Sequence, residues 1–298
     1  SATYTKFVDS DSVKGIENSP YRTEINTLAD LGIYTAETIN EKELSSKGML
    51  IEALANFYEK DEFPVRNDQL FADVNTDTPL YKEVSVLCTA GVLVPDVKAN
   101  LGLKQGVTLD DACELICRML NLAYMHNDGT DYKLIAKRAG IVDSSMMKNS
   151  QALVNQDIMA LLYNTLTCDY MKFQSVAEGE MKFEKRQNIL EKTRSIYMNT
   201  GVVEANSAIS LVSNSNFSSE NNVIIDGEVF NIGKTVAEEF VGFKCTYFYT
   251  GEGSVKTLVA IRPETKVEYG VLNSNDVEFT RIDENKIKLK SATTNSIC

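Results

Sequence analysis

Apolar positions in the first part of the chain recur at helical spacing, in short blocks that end in glycine. Ile25, Leu28 and Leu31 share one helix face, and Gly32-Ile33 follows. Val84, Leu87 and Ala90 repeat the spacing before Gly91-Val92, and Tyr132 to Ala139 runs into Gly140-Ile141. The pattern predicts helices over 21–33, 81–92 and 132–141, each stopped by a glycine in the left-handed conformation. A longer apolar block follows each one, at Leu44–Phe57, Val107–Leu120 and Leu153–Leu166. Thr108 with Asp111 reads as a capping-box start for the second of these. Two further turns, Phe7-Val8-Asp9 and Phe71-Ala72-Asp73, place an aromatic two residues ahead of an aspartate suited to capping nearby amides. Three helix–loop–helix units emerge, at about Phe7–Tyr58, Phe71–Tyr124 and Asp131–Tyr170. One pair of helices cannot bury its own stripe, whereas three pairs packed around a common axis do.

After residue 200 the period changes to two and β-branched residues dominate. Strands are expected at Gly201–Ala205, Lys244–Tyr249, Ser254–Ile261, Val267–Val271 and Ile287–Leu289. Asp226-Gly227 between apolar runs predicts a two-residue hairpin turn within Asn222–Phe230. The charged stretch from 178 reads as a connecting helix with a solvated face. The expected fold is multidomain α + β: an N-terminal pseudo-threefold helical bundle and a C-terminal small antiparallel β barrel or sandwich. Its divisions are 1–65, 66–128 and 129–177 for the three helical units, 178–199 for a linker helix and 200–298 for the β-rich domain.

The ordered recurrence of Phe-x-Asp, helix-Gly-Ile and a capped long helix over residues 7–170 resembles the S-layer homology family. That resemblance implies a three-pronged helical bundle whose grooves hold secondary cell-wall polysaccharide. It would make this chain a non-enzymatic, exported surface protein anchored to a Gram-positive cell wall. In the family, the arginine of Thr-Arg-x-Glu at the start of each long helix meets the acidic glycan. Here Ser46, Leu109 and Asn155 align with the arginine, and Gly48, Asp111 and Asp157 with the acid. No unit keeps the arginine, so Lys47 or Arg138 would have to supply the cation. The motif positions carry over to Ser46, Lys47, Thr108, Asp111, Asn155 and Asp157 as candidate ligand-binding residues. The lost arginines equally suit a self-assembling subunit of a surface lattice, filament or phage virion, a homo-oligomer held by contacts between protein subunits. A third reading is the non-catalytic N-terminal part of a larger surface enzyme.

Length and composition bound these readings. At 298 residues the chain is expected to hold two or three units. A net charge of −12 with no basic cluster argues against a nucleic-acid partner. No apolar run reaches membrane-spanning length. The small polar start fits the end left by signal-peptide cleavage, and the abrupt finish at Cys298 suggests a chain cut from something longer. The six cysteines form no Cys-x-x-Cys pair and read as small buried hydrophobes. The single histidine, His126, sits in a turn sequence and cannot build a zinc site alone. Asn127–Asp131 and Asp73–Asp77 lack the terminal bidentate glutamate of a calcium loop. No nucleophile elbow, phosphate loop or dinucleotide fingerprint is present. No metal, cofactor or catalytic group is expected.

Overall fold

The computed structural model describes residues 12–148, 151–177, 180–207, 221–251, 253–254, 256–264, 277–283, 286–291 and 294–297. The turn expected at Phe7–Asp9 and the strand expected at Val267–Val271 lie outside these residues. The architecture is mixed, with seven α-helices, a closed five-stranded barrel and two small sheets among the described residues.

Six helices stand where the apolar periodicity puts them. The short ones are α1 (Arg22–Asp30), α3 (Tyr81–Thr89) and α5 (Tyr132–Ala139); the longer ones are α2 (Lys47–Ala55), α4 (Leu109–Met119) and α6 (Asn155–Thr165). Gly32, Gly91 and Gly140 have φ of +68°, +77° and +84°. The amide of the residue after each glycine donates back into its helix, Ile33 to Leu28, Val92 to Leu87 and Ile141 to Ala136. A side chain on these glycines would be strained, which is why the same residue type recurs.

The long helices begin together. Ser45 N donates to Leu153 O (2.8 Å), Leu153 N to Val107 O (2.7 Å), and Val107 N to Ser45 O (3.2 Å). Each of these residues precedes the N-cap of a long helix, and the three bonds close a ring. Two more pairs of bonds repeat around it. Lys47 N and Gly48 N donate to Gln105 O and Leu103 O, and Asn155 N and Gln156 N donate to Glu43 O and Glu41 O. Helix-start amides that would lack partners are thus satisfied by the extended segment of a neighbouring unit. Leu28, Leu54, Leu87, Ile116, Ile135, Ile158 and Leu162 are fully or almost fully buried in the single core beneath.

The connecting helix expected over 178–199 is a correction. Strands β1 (Asp169–Ala177) and β2 (Glu180–Asn188) pair antiparallel as a hairpin, and only Ile189–Arg194 is helical (α7). In Glu180-Met-Lys-Phe-Glu184 the apolar residues alternate with charges, a period of two that the density of charge obscured. Strand β1 also begins inside the segment assigned to the third helical unit. Its Met171 N donates to Leu120 O (3.0 Å), which ties the base of the hairpin to the end of α4.

The barrel consists of β3 (Tyr197–Ala205), β4 (Asn222–Ile225), β5 (Glu228–Asn231), β6 (Lys244–Thr250) and β7 (Thr257–Pro263), in the order β3-β4-β5-β7-β6, closed by β6 on β3. The pairs are antiparallel except β5 with β7. The hairpin turn forms at Asp226 and Gly227, both at positive φ as a primed two-residue turn requires. Phe230, Phe240, Tyr247, Leu258 and Ile261 fill the barrel. Phe248 and Ala260 pair on β6 and β7 and belong to the helical core. A bulge in that pairing lets Leu258 and Ile261 both face the barrel interior. Arg262 on β7 reaches Asp30 of α1 at 2.7 Å with both side chains mostly buried, so the barrel is docked on the helices by an ion pair and an apolar patch. The third sheet, β8 (Val277–Asp283), β9 (Lys286–Ser291) and β10 (Thr294–Ile297), runs in the order β10-β9-β8 and includes the strand expected at Ile287–Leu289.

Candidate functional site

The six motif residues lie at the three long-helix starts that the backbone ring draws together. Most are committed to the helices themselves. The Ser46 hydroxyl accepts from Met49 N at 3.2 Å and caps α2. Thr108 and Asp111 cap α4 reciprocally, each accepting from the other's amide. Asp157 accepts from Val154 N at 3.2 Å. Asn155 donates its side-chain amide to Asn40 O at 2.9 Å and holds the loop ahead of α2. These bonds are what such residue types do at helix starts, and they leave little capacity for a ligand.

Lys47 differs, and the structure shifts its alignment. Ser46, Thr108 and Val154 are the N-caps. The residue after each cap is therefore Lys47, Leu109 and Asn155. By cap geometry Lys47, rather than Ser46, is the counterpart of Leu109 and Asn155 in the first unit. The hydrogen bonds agree, because Lys47 N and Asn155 N make equivalent bonds to the neighbouring segment. A cation therefore stands directly after the N-cap in one of the three long helices.

The second half of this site comes from the Phe71-Ala72-Asp73 turn. The Asp73 carboxylate accepts from Leu101 N (2.7 Å) and Gly102 N (2.9 Å). Gly102 has φ of +73°, so the loop turns sharply there and Gln105 N closes it onto Gly102 O at 2.9 Å. This loop lies against the start of α2, where a Cβ on Gly48 would sit 3.0 Å from Leu103 O. Partial burial works against ionising Asp73, but the two amides and the Lys47 ammonium outweigh it and hold its carboxyl below the usual carboxylate range. The Lys47 ammonium is thus near enough to favour the charged form of Asp73, where the start of α2 meets the 101–105 loop.

The start of α6 has the opposite character. Burial, and then the carboxylates of Asp157, Glu24, Asp143 and Glu41, push the Tyr21 hydroxyl above its ordinary value. The carboxylates gathered there disfavour an anion, in contrast to the start of α2 with its Lys47. Arg138, the other substitute cation, is in the last turn of α5. That end lies where α6 finishes, since Asn164 near the end of α6 donates to Ile141 O just beyond α5. Arg138 is therefore remote from the capped ends.

The other singled-out residues have local roles. His126 stacks on Tyr132 with ring centroids 4.3 Å apart, and its Nδ1 lies 2.9 Å from Thr130 O. Asp131 caps α5 by accepting from Lys133 N, and Asn75 accepts from Asp77 N. No group of three or more His, Cys, Asp or Glu among the described residues is placed to hold a metal ion. Burial pushes the Cys113, Cys117 and Cys168 thiols up to about 12, so they are protonated and unreactive at neutral pH. No helix among the described residues is long and apolar enough to cross a membrane. The chain gives no match to any family model, any characterised protein or any solved structure with which it was compared.

Proposed function

We propose that the chain is a non-enzymatic, exported surface protein whose helical part consists of three S-layer-homology-like units around a pseudo-threefold axis. Its anchoring groove, on this reading, lies between the start of α2 and the 101–105 loop. The observation that carries it is the closed ring of bonds among Ser45, Val107 and Leu153. It relates the three long helices by one repeated interaction, as a bundle of three equivalent prongs requires. Lys47 directly after the N-cap supplies a cation for an acidic cell-wall polysaccharide, and Asp73 near it an acceptor for its hydroxyls. With one basic groove of three, the affinity per molecule is expected to be low and salt-sensitive.

The test is retention of the full chain on peptidoglycan sacculi, with and without their secondary polymers stripped. Retention is expected on intact sacculi, lost on stripping, and weakened about tenfold in Lys47→Ala, a loss of about 1.4 kcal/mol. Equal retention on both preparations, or none on either, overturns the glycan reading.

Assembly through β-strand edges is the second reading. The β1–β2 hairpin and the β8–β10 sheet have outer strands without a strand neighbour among the described residues, in contrast to the closed barrel. Sedimentation as a strict monomer at high concentration would count against it.

A further inference from the structure

The ends of the three long helices differ in one respect. Near the end of α2, Asn56 donates to Ile33 O at 3.0 Å; near the end of α6, Asn164 donates to Ile141 O at 3.1 Å. Both asparagines stand at the same offset from their N-caps, and both join a long helix to the residue after a helix-stopping glycine. At that offset α4 carries Arg118. Its Nε and Nη2 turn away to Glu114 Oε1, at 3.0 and 2.8 Å. The surroundings of the three ends differ in the same way. Arg194 from α7 donates to Leu31 O (2.6 Å) and Asn56 O (3.3 Å), closing the first end. The Cys168 thiol closes the third on Ala139 O (3.1 Å) and Asn164 O (3.2 Å). At the second end neither plug is present, and a cleft of about 190 Å³ opens between α4, α7 and the start of β1.

We infer that this cleft is a binding site for a small organic anion, a single six-membered ring bearing one carboxylate. Tyr58, Phe63, Arg118, Asn121, Tyr170 and Lys192 contribute its aromatic and polar lining. In a chain of net charge −12, the described residues that line the cleft include two cations and no carboxylate. Glu114 leaves the Nη1 of Arg118 unused, and Lys192 is exposed with no ion pair among the described residues. These cations are not needed to offset the helix ends. The Leu120 carbonyl of α4 already accepts from Met171 N, and the Asn56 carbonyl beyond α2 from Arg194. Tyr58 and Phe63 meet edge to face with centroids 5.6 Å apart, which presents both ring face and ring edge to a flat ligand. Burial pushes the Tyr58 hydroxyl upward, so it stays a neutral donor across the physiological range. The volume fits one ring and not an oligomer. The cleft is at the opposite end of the helices from Lys47, and the inference stands apart from the glycan reading.

The probes are D-glucuronate, benzoate and D-glucose, added to the full chain and followed by saturation-transfer NMR and calorimetry. Glucuronate, benzoate or both should bind at least tenfold more tightly than glucose, with affinity falling as salt rises; which of the two binds tells a sugar acid from an aromatic acid. Lys192→Ala, at an exposed position, should weaken binding about tenfold with the unfolding midpoint little changed, and Arg118→Gln should do the same. Glucose binding as well as either acid, the absence of binding by both acids, or wild-type affinity in both variants overturns the inference.

Discussion

The two ends of the long helices are held by different means. At the starts the bonding is main chain to main chain: the ring through Ser45, Val107 and Leu153 uses amides and carbonyls, which every residue but proline supplies. The residues at those three positions are a serine, a valine and a leucine, so the ring does not depend on a shared polar side chain. At two of the three finishes the bonding is side chain to main chain, by Arg194 at one end and Cys168 at another. A backbone ring tolerates drift in the side chains around it, so a repeat can lose its signature there without losing its geometry. A side-chain link is a single residue, and a different residue in its place leaves the link unmade, as at Arg118, where the other two long helices carry Asn56 and Asn164.

The largest effect is expected at the plugged end. Arg194→Ala removes charge-assisted bonds to Leu31 O and Asn56 O and leaves two part-buried carbonyls without that donor. Each such bond is worth about 1.5–3 kcal/mol, so the loss should be about 3 kcal/mol by urea unfolding. A loss under about 1 kcal/mol would mean that water or a neighbour replaces the guanidinium, and that the two ends do not differ in kind.

At the ringed end, Gly48→Ala gives a test by sign. Alanine in a helix normally stabilises relative to glycine by about 0.5–1 kcal/mol. Here the added Cβ meets Leu103 O at 3.0 Å and Leu80 Cδ1 at 3.3 Å, and Leu103 O also accepts from Gly48 N. That carbonyl cannot yield without breaking the bond, so a net loss of about 2 kcal/mol is expected on thermal or urea unfolding. A gain in stability would show that α2 and the loop are less closely joined than the ring implies.

The same contrast explains what could be read from the sequence. The six helices, their glycine stops and the Asp226-Gly227 turn were legible because each depends on local residues in a fixed period. The barrel's strands were legible too, but not its closure, which depends on β5 meeting β7 in parallel. The helix expected over 178–199 failed because the stretch is short and charged, and its partner strand had been assigned to the preceding unit. Lys47 is legible as a candidate cation, but its place directly after the N-cap is not, since only cap geometry distinguishes Ser45 from Ser46. Asp73 was recognised as a turn residue, but not that it would come near Lys47. The plugged ends were invisible, because Arg194 and Leu31 lie 163 residues apart and no periodicity connects them.

The smallest expected effect, on pH dependence, concerns Asp73 alone. Its carboxyl titrates below the ordinary range because two loop amides and Lys47 favour the charged form over the cost of burial. A folded-state value below the unfolded one contributes stability that is present above the unfolded value and lost as pH falls through the folded one. Stability of the 101–105 loop should therefore be constant at neutral pH and decline on acidification below the usual aspartate range. Asp73→Asn keeps one acceptor for the amides and removes the charge. It should flatten the acid limb of the stability curve while leaving most of the neutral stability in place. The same substitution leaves Lys47 without its opposing charge, so retention on an acidic polymer at neutral pH should rise if that lysine is the contact. A variant with an unchanged acid limb would show that the loop is held by its backbone turn at Gly102, and that the ringed end depends on main-chain bonding even where a carboxylate is present.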